Sequence, residues 1–246
     1  MPYEPVVVTG ASRGIGYAVA CHLADLGYDV VAWARTAGDL DELRKVDGSG
    51  RIRTHRVDVG DAEEVRAGVD NVLAEAATVR GVVVNAGIGE WGEVGDLSAS
   101  AWLQMFATNV TGAFYTLSYL RPLLRAHPRG QVVATVSDSA RFAFTGRAGY
   151  CASKAALESL IETFRRENRA HGIRVTALYP GRVDTYFRGR RPGSRPAILQ
   201  TEDIAAAVGH VFSLPGHIEL REMSLNSIFS SYGPYEEHSI PKERTE

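Results

Sequence analysis

Short β-branched runs alternate along this chain with longer stretches in which apolar positions recur at a helical period. The runs fall at Val6–Thr9, Asp29–Ala34, Ile52–Val57, Gly81–Asn85, Gln131–Val136 and Arg174–Leu178. Several, such as Val82-Val83-Val84, are apolar without alternation, as expected of strands buried on both faces. Strands that alternate with helices predict right-handed βαβ units and an α/β fold, a doubly wound parallel sheet with helices on both faces. Long helices are expected around Trp102 to Arg125 and from Tyr150 to Ala170. Residues 1–229 read as one domain with a loop at about 182–200, followed by a polar tail over 230–246.

In a doubly wound sheet, ligands bind beyond the carboxyl ends of the strands. Gly10, Arg35, Asp58, Asn85, Ser137 and Tyr179-Pro180 all fall there. The first strand runs into Gly10-Ala11-Ser12-Arg13-Gly14-Ile15-Gly16 and then a helix. The spacing is Gly-x-x-x-Gly-x-Gly, and such a turn lets backbone N–H groups approach a pyrophosphate at a helix N-terminus. Alone, these glycines would serve equally well as turn and packing residues.

Tyr150 and Lys154 stand four apart in Tyr150-Cys151-Ala152-Ser153-Lys154, thirteen residues after Ser137. On a helix, that spacing stacks phenol and ammonium on one face. A positive charge at about 4 Å, at an effective dielectric of about 20, stabilises a phenolate by up to roughly 4 kcal/mol, or about three pKa units. This brings a tyrosine toward the range in which a general acid or base works best.

With these residues, Asp58, Asn85-Ala86-Gly87, Asn109 and Pro180-Gly181, in their order and separations, the chain resembles the short-chain dehydrogenase/reductase family from Val6 to about Thr185. The resemblance implies a Rossmann-type fold and a nicotinamide-dependent interconversion of carbonyl and alcohol on a small-molecule substrate. Asn109, Ser137, Tyr150 and Lys154 would be the catalytic set. Ser137 would hold the carbonyl oxygen against Tyr150, and Ser139 would neighbour the pocket. Lys154 would also bind the nicotinamide ribose, and Asn109, awkward in mid-helix, would distort its helix and position a water leading to Lys154. Cofactor contacts would come from Gly10, Ser12, Arg13, Gly14, Ile15, Gly16, Arg35, Asp58, Val59, Asn85, Ala86, Gly87, Tyr150 and Lys154. In Pro180-Gly181-Arg182-Val183-Asp184-Thr185, the residues Pro180, Gly181, Val183 and Thr185 would hold the nicotinamide carboxamide. Asp58 would touch adenine; its other reading, a cap for the next helix, suits Asp61 better, with Glu64 as capping-box partner.

Charge points to the phosphorylated cofactor. The second strand ends Ala32-Trp33-Ala34-Arg35-Thr36 with no acid before Asp39 to bind a ribose 2′-OH, and Arg13 and Arg35 flank the place of a 2′-phosphate. Two solvated arginines are the plainer alternative. The expectation is an NADPH-dependent ketone or aldehyde reductase, with an alcohol dehydrogenase running in reverse and a non-catalytic NADP(H) sensor as alternatives.

The remaining features narrow less. Trp91, Phe142, Phe144, Tyr186 and Phe187 suggest an apolar or flat substrate, unless they belong to the core. Five arginines between Arg182 and Arg195 against Asp184 suit a solvated loop or an anionic substrate, and Pro192, Gly193 and Pro196 suggest a lid. Across 246 residues, 27 basic and 29 acidic side chains give a net charge of −2, with no field for nucleic acid or an anionic membrane. Cys21 and Cys151 lack metal-ligand spacing, and no metal is expected. No signal-like segment or run of eighteen apolar residues is present, so a cytoplasmic location is expected. Glu222–Ile228 lacks the glycine pair with which many family members end. The two long helices could still pair into a homodimer or homotetramer.

Overall fold

A computed structural model describes residues 3–36, 40–46, 48–189, 191–193 and 195–230. Seven parallel strands form one sheet in the order β3-β2-β1-β4-β5-β6-β7. They are β1 (Val6–Thr9), β2 (Val30–Ala34), β3 (Ile52–Arg56), β4 (Gly81–Val84), β5 (Gln131–Thr135), β6 (Arg174–Pro180) and β7 (Glu222–Leu225). The helices are α1 (Gly14–Asp25), α2 (Ala62–Leu73), α3 (Ala99–Phe106), α4 (Gly112–Ala126), α5 (Ala148–Asn168) and α6 (Thr201–Ser213). Six strands match the expected β-branched runs; β7 is the addition. It is an edge strand of alternating exposure, and Glu222-Met223-Ser224-Leu225 is too short and too polar to stand out as a run. The expected polar tail lies, from residue 231 on, outside the described residues.

The central strands β1, β2, β4 and β5 read as largely apolar runs because each face has its own helical cover. Val7, Val31, Val82 and Val132 pack with Leu117 and Leu120 of α4 and Leu157 and Ile161 of α5. Val6, Val8, Val30, Val83 and Val133 point the other way, against Val19 and Leu23 of α1 and Val208 and Phe212 of α6. The side-chain period of two thus places neighbours in one strand in two different cores.

The strand order reverses between β1 and β4, and the crevice at that switch point is where ligands bind in this architecture. The expected helix from Trp102 to Arg125 is interrupted: between α3 and α4 the chain makes a π-helical turn over Ala107–Thr111. Such turns are rare and frequent at functional sites. The helix carrying Tyr150 and Lys154 begins two residues before the tyrosine and is continuous through both.

Candidate active site

A cleft of about 540 Å³ opens beyond the strand ends, bounded by the β1–α1 turn, the segments after β4 and β5, the start of α5 and the loop after β6. Gly10, Ser12, Arg13, Gly14 and Ile15 line one end, with Arg35 and Val59 beside them; Asn85, Ala86 and Gly87 form the floor; Ser137, Tyr150 and Lys154, then Pro180, Gly181, Val183 and Thr185, line the other end.

The floor is set by close backbone approach. Gly10 has φ +66°, and a Cβ there would lie 2.8 Å from the Cα of Ala86. A Cβ on Gly16 would overlap the carbonyl oxygen of Gly10 and lie 2.6 Å from Asn85 Nδ2. Gly16 is therefore buried behind the cleft, holding the turn against β4. Asn85 Nδ2 donates to the carbonyls of Thr9 (3.1 Å) and Gly10 (3.4 Å), while Thr9 Oγ1 accepts from the backbone N–H groups of Asn85 (3.0 Å) and Ala86 (3.1 Å). These bonds tie the two strands at the switch point and leave the N-terminal N–H groups of α1 facing the cleft, as a bound pyrophosphate requires. Arg13 and Arg35 are exposed side chains at this end. Asp39 lies outside the described residues. The residues present thus fit a dinucleotide, in the glycine cradle and in the absence of a carboxylate among the described residues that line the cleft.

Asp58 is half-buried just behind the lining residues Val57 and Val59. Its Oδ1 accepts from the N–H of Gly60 (2.9 Å), a turn-capping bond. Asp61 caps α2 as expected, accepting from the N–H groups of Glu63 and Glu64. The capping-box partner does not reach back, however. Glu64 accepts from the N–H of Asp58 (2.8 Å) and pairs with Arg56 (3.1 Å), because the turn ahead of α2 offers that donor on the same side of the helix.

Asn109 lies in the π-helical turn, 1 % exposed. It sits one layer behind the cleft wall and bonds on three sides: Oδ1 accepts from the N–H of Ile88 (2.8 Å), and Nδ2 donates to the carbonyl of Ile88 (2.9 Å) and to Ser153 Oγ (2.9 Å). The π turn supplies the room that a regular helix would not. A Cβ on Gly87 would lie 3.4 Å from Asn109 Oδ1 and 3.5 Å from Lys154 Nζ, so these groups converge on one small space.

Lys154 is 3 % exposed; its Nζ donates to the carbonyl of Thr135 (2.8 Å) and lies 5.8 Å from the centre of the Tyr150 ring. Burial lowers its pKa to about 8. At that separation and an effective dielectric of about 20, the ammonium stabilises charge on the ring by about 3 kcal/mol, nearer two pKa units than three. Ser137 follows β5 in extended backbone, and its Oγ accepts from the N–H of Ser139 (3.1 Å), opening a single 3-10 turn. Ser139 is itself buried within that turn.

Trp91 and Phe187 both pack on Tyr150, with ring centres 5.2 and 5.6 Å away, and lie 6.1 Å from each other. Tyr186 lines the same end. Phe144 packs under Arg147, and Phe142 is exposed at the surface. The loop after β6 is anchored by Asp184, whose buried carboxylate pairs with Arg195 (2.8 Å) and accepts from the N–H groups of Gly193 (2.8 Å) and Arg195 (3.2 Å). These partners hold its pKa below the usual carboxylate value, against burial, which would raise it. Among the charged residues that line the cleft, Arg147 passed unnoticed in the sequence; it stands three positions before Tyr150, on the turn leading into α5. Among the described residues no cluster of side chains could hold a metal ion, and no helix is long and apolar enough to cross a membrane.

The pattern characteristic of short chain dehydrogenases matches residues 4–194. An uncharacterized oxidoreductase of Myxococcus xanthus is 33 % identical, the match covering 85 % of this chain and 83 % of that one. Glycine betaine reductase of Emericella nidulans is also 33 % identical over 88 % of this chain, which spans only 18 % of that much longer protein. Among solved structures, an alcohol dehydrogenase from the archaeon Thermococcus sibiricus, complexed with 5-hydroxy-NADP, superposes with a TM-score of 0.88 at 32 % identity, covering 92 % of this chain and 97 % of the other. The chain belongs to the short chain dehydrogenase family of oxidoreductases.

Proposed function

We propose that this protein is an NADPH-dependent reductase of ketones or aldehydes. The observation that carries the reading is the convergence of Ser137, Tyr150 and Lys154 at one end of a cleft whose other end is a glycine cradle flanked by Arg13 and Arg35. NADPH, when bound along that cradle, supplies the hydride. Arg13 and Arg35 hold a 2′-phosphate through forked, charge-assisted bonds, and among the described residues no acid lines the cleft to repel it. The NADP analogue in the Thermococcus relative supports this choice.

Ser137 positions the carbonyl oxygen by donating a hydrogen bond to it, and Tyr150 gives the phenol proton to that oxygen as the carbon accepts the hydride, so the alcohol forms without a free alkoxide. Lys154 favours the resulting phenolate. Asn109, fixed by Ile88 and Ser153 behind Lys154, holds the path by which the proton is restored. The same residues run the oxidation of an alcohol in reverse, and cofactor supply sets the direction. Leu103 and Phe114 are 65 % and 51 % exposed on α3 and α4, which supports a homodimer or homotetramer closed through these helices. Free Cys21 and Cys151 suit a reducing, cytoplasmic compartment.

The test is a panel of ketones and aldehydes with NADPH, run on the protein and on Tyr150→Phe. Removing the proton donor should lower kcat by about a thousandfold while the affinity for NADPH stays within about threefold. Turnover by Tyr150→Phe at the rate of the parent protein would overturn the assignment.

A further inference from the structure

Asp138, the residue after Ser137, is 3 % exposed. It stands in the 3-10 turn that Ser137 opens, and its carbonyl accepts from the N–H groups of Arg141 (2.9 Å) and Phe142 (2.9 Å). Ser137 and Gly181 line the cleft, and Asp138 lies behind them. Its carboxylate meets Asn226, the residue after β7, at the back of Gly181. A Cβ on Gly181 would lie 3.1 Å from Asp138 Oδ2 and would overlap Asn226 Oδ1, so a glycine is what lets both side chains reach this point. Both oxygens are fully buried, and neither has a hydrogen-bond partner among the described residues. The segment that supplies Asn226 is fixed on both sides: the N–H of Gly181 donates to the carbonyl of Leu225 (2.9 Å), and Ser227 Oγ donates to the carbonyl of Ala197 (2.5 Å).

Two buried acceptors without a donor between them are costly, and this pair has two ways to supply one. A protonated Asp138 donates to Asn226 Oδ1; an ionised Asp138 accepts from Nδ2 once the amide turns over. Asparagine serves both states because it carries a donor and an acceptor, so the site can change its charge and keep its hydrogen bond. The charged and titratable groups on the surrounding elements are engaged elsewhere. Arg141, on the same turn, is divided between Glu158 of α5 (3.1 Å) and Glu222 of β7 (2.6 Å), and it lies over the ring of Tyr179 of β6, whose hydroxyl bonds Glu158 (2.8 Å). On α5, Lys154 is turned to the carbonyl of Thr135, Cys151 Sγ to that of Phe142 (3.8 Å), and Tyr150 to Trp91 and Phe187. Burial raises the Asp138 pKa to about 6, against the opposing pulls of Asn226 and Arg141. The group is therefore neutral in mild acid and mostly ionised at pH 7.

We propose that Asp138 sets the charge balance of the nicotinamide site: its carboxylate, behind Gly181, favours the oxidised, cationic nicotinamide over the neutral reduced ring, and so favours loss of hydride from NADPH. This inference rests on the reductase reading, which gives Pro180, Gly181, Val183 and Thr185 to the nicotinamide carboxamide, and deepens it. Loss of hydride leaves a positive charge on the ring. A fixed negative charge held behind the cleft wall acts more strongly there than it would in water, and it is in place before the reaction begins. Protonation of Asp138 removes that charge and leaves the glycine cradle unchanged.

The experiment measures dissociation constants for NADP⁺ and NADPH by calorimetry from pH 5 to pH 7, on the parent, Asp138→Asn and Asn226→Leu. The ratio of the two constants cancels the titration of the 2′-phosphate, which both nucleotides carry, and the range ends below the pKa of Lys154. In the parent, the preference for NADP⁺ over NADPH should rise threefold or more from pH 5 to pH 7. Asp138→Asn, which keeps the shape and an amide partner, should show a preference about tenfold lower at pH 7 and no change with pH. Asn226→Leu, which removes a group that favours the ionised acid, should move the midpoint of the rise to higher pH. A parent ratio constant within twofold, a ratio in Asp138→Asn that follows the parent's, or a midpoint in Asn226→Leu at or below the parent's would overturn the proposal and leave the reductase reading in place. The parent's own ratio decides the question where a variant does not fold. If neither nucleotide binds at any pH, the reductase reading fails and the proposal with it.

Discussion

The two ends of the cleft are built in different ways. At the cofactor end, the surface is backbone: Gly10 and Gly14 with positive φ, Gly16 packed on the Gly10 carbonyl, and a lattice of bonds among Thr9, Asn85 and Ala86. At the substrate end, the surface is side chain. Rings from two other segments, Trp91 and Phe187, pack on Tyr150, the Arg147 guanidinium lies over Trp91 and over Phe144, and the loop after β6 is held by a buried ion pair at Asp184. Backbone construction leaves few acceptable sequences and so fixes the ligand class. Side-chain construction can change residue by residue while the strand ends beneath it stay in place, and this end therefore carries specificity.

Between the two ends lies Lys154, where the contrast can be broken most sharply. Its charge is buried at a cost to the fold. A pKa lowered from 10.5 to about 8 corresponds to about 3 kcal/mol of destabilisation. The unfolded chain binds the extra proton between these values, so the cost is complete below about pH 8 and is relieved as pH rises toward 10.5. Lys154→Met should therefore lower kcat a hundredfold or more while raising stability at pH 7, by up to about 3 kcal/mol, in urea denaturation. A destabilised variant would show that the lysine serves the fold and not the chemistry. In the parent protein, reduction should decline as pH rises through about 8, because the ammonium beside Tyr150 loses its proton.

A smaller effect is expected behind the cofactor end. In Gly16→Ala the new methyl would overlap the carbonyl of Gly10 and crowd Asn85. The strain of overpacking should cost about 2 kcal/mol of stability and weaken dinucleotide binding along with it. A variant with unchanged urea midpoint and unchanged affinity would mean that the turn is not held by backbone contact as described.

The sequence was most readable where one chain segment decides the geometry. Gly10-x-x-x-Gly14-x-Gly16 and Tyr150-x-x-x-Lys154 are local spacings, and each lies on the element its spacing implied. Apart from the family resemblance, Asn109 was visible only as a residue out of place in a helix, and the π turn is the structural form of that anomaly. Glu64 shows the limit even of local patterns: the capping-box spacing is present, yet the carboxylate is taken by the N–H of Asp58 and by Arg56. The place of Arg147 in the cleft and the contact of Phe187 with Tyr150 were not legible from spacing, although Phe187 was among the aromatics expected near the substrate. They depend on how three loops meet above the sheet, and long side chains on loops have no periodicity to betray them. The edge strand β7 was hidden for a different reason, since an exposed four-residue strand need not be apolar.

The smallest expected change is also the most direct test of the account, which claims that the backbone end of the cleft selects NADP(H) independently of the chemistry at Tyr150. Fluorescence titration with NADPH and NADH would be made on the parent protein, Arg35→Ala and Tyr150→Phe. The account predicts tighter binding of NADPH in the parent, an affinity for NADPH about tenfold weaker in Arg35→Ala with NADH little changed, and near-parent affinity in Tyr150→Phe. Tighter binding of NADH by the parent, or an equal loss of both nucleotides in Arg35→Ala, would contradict it.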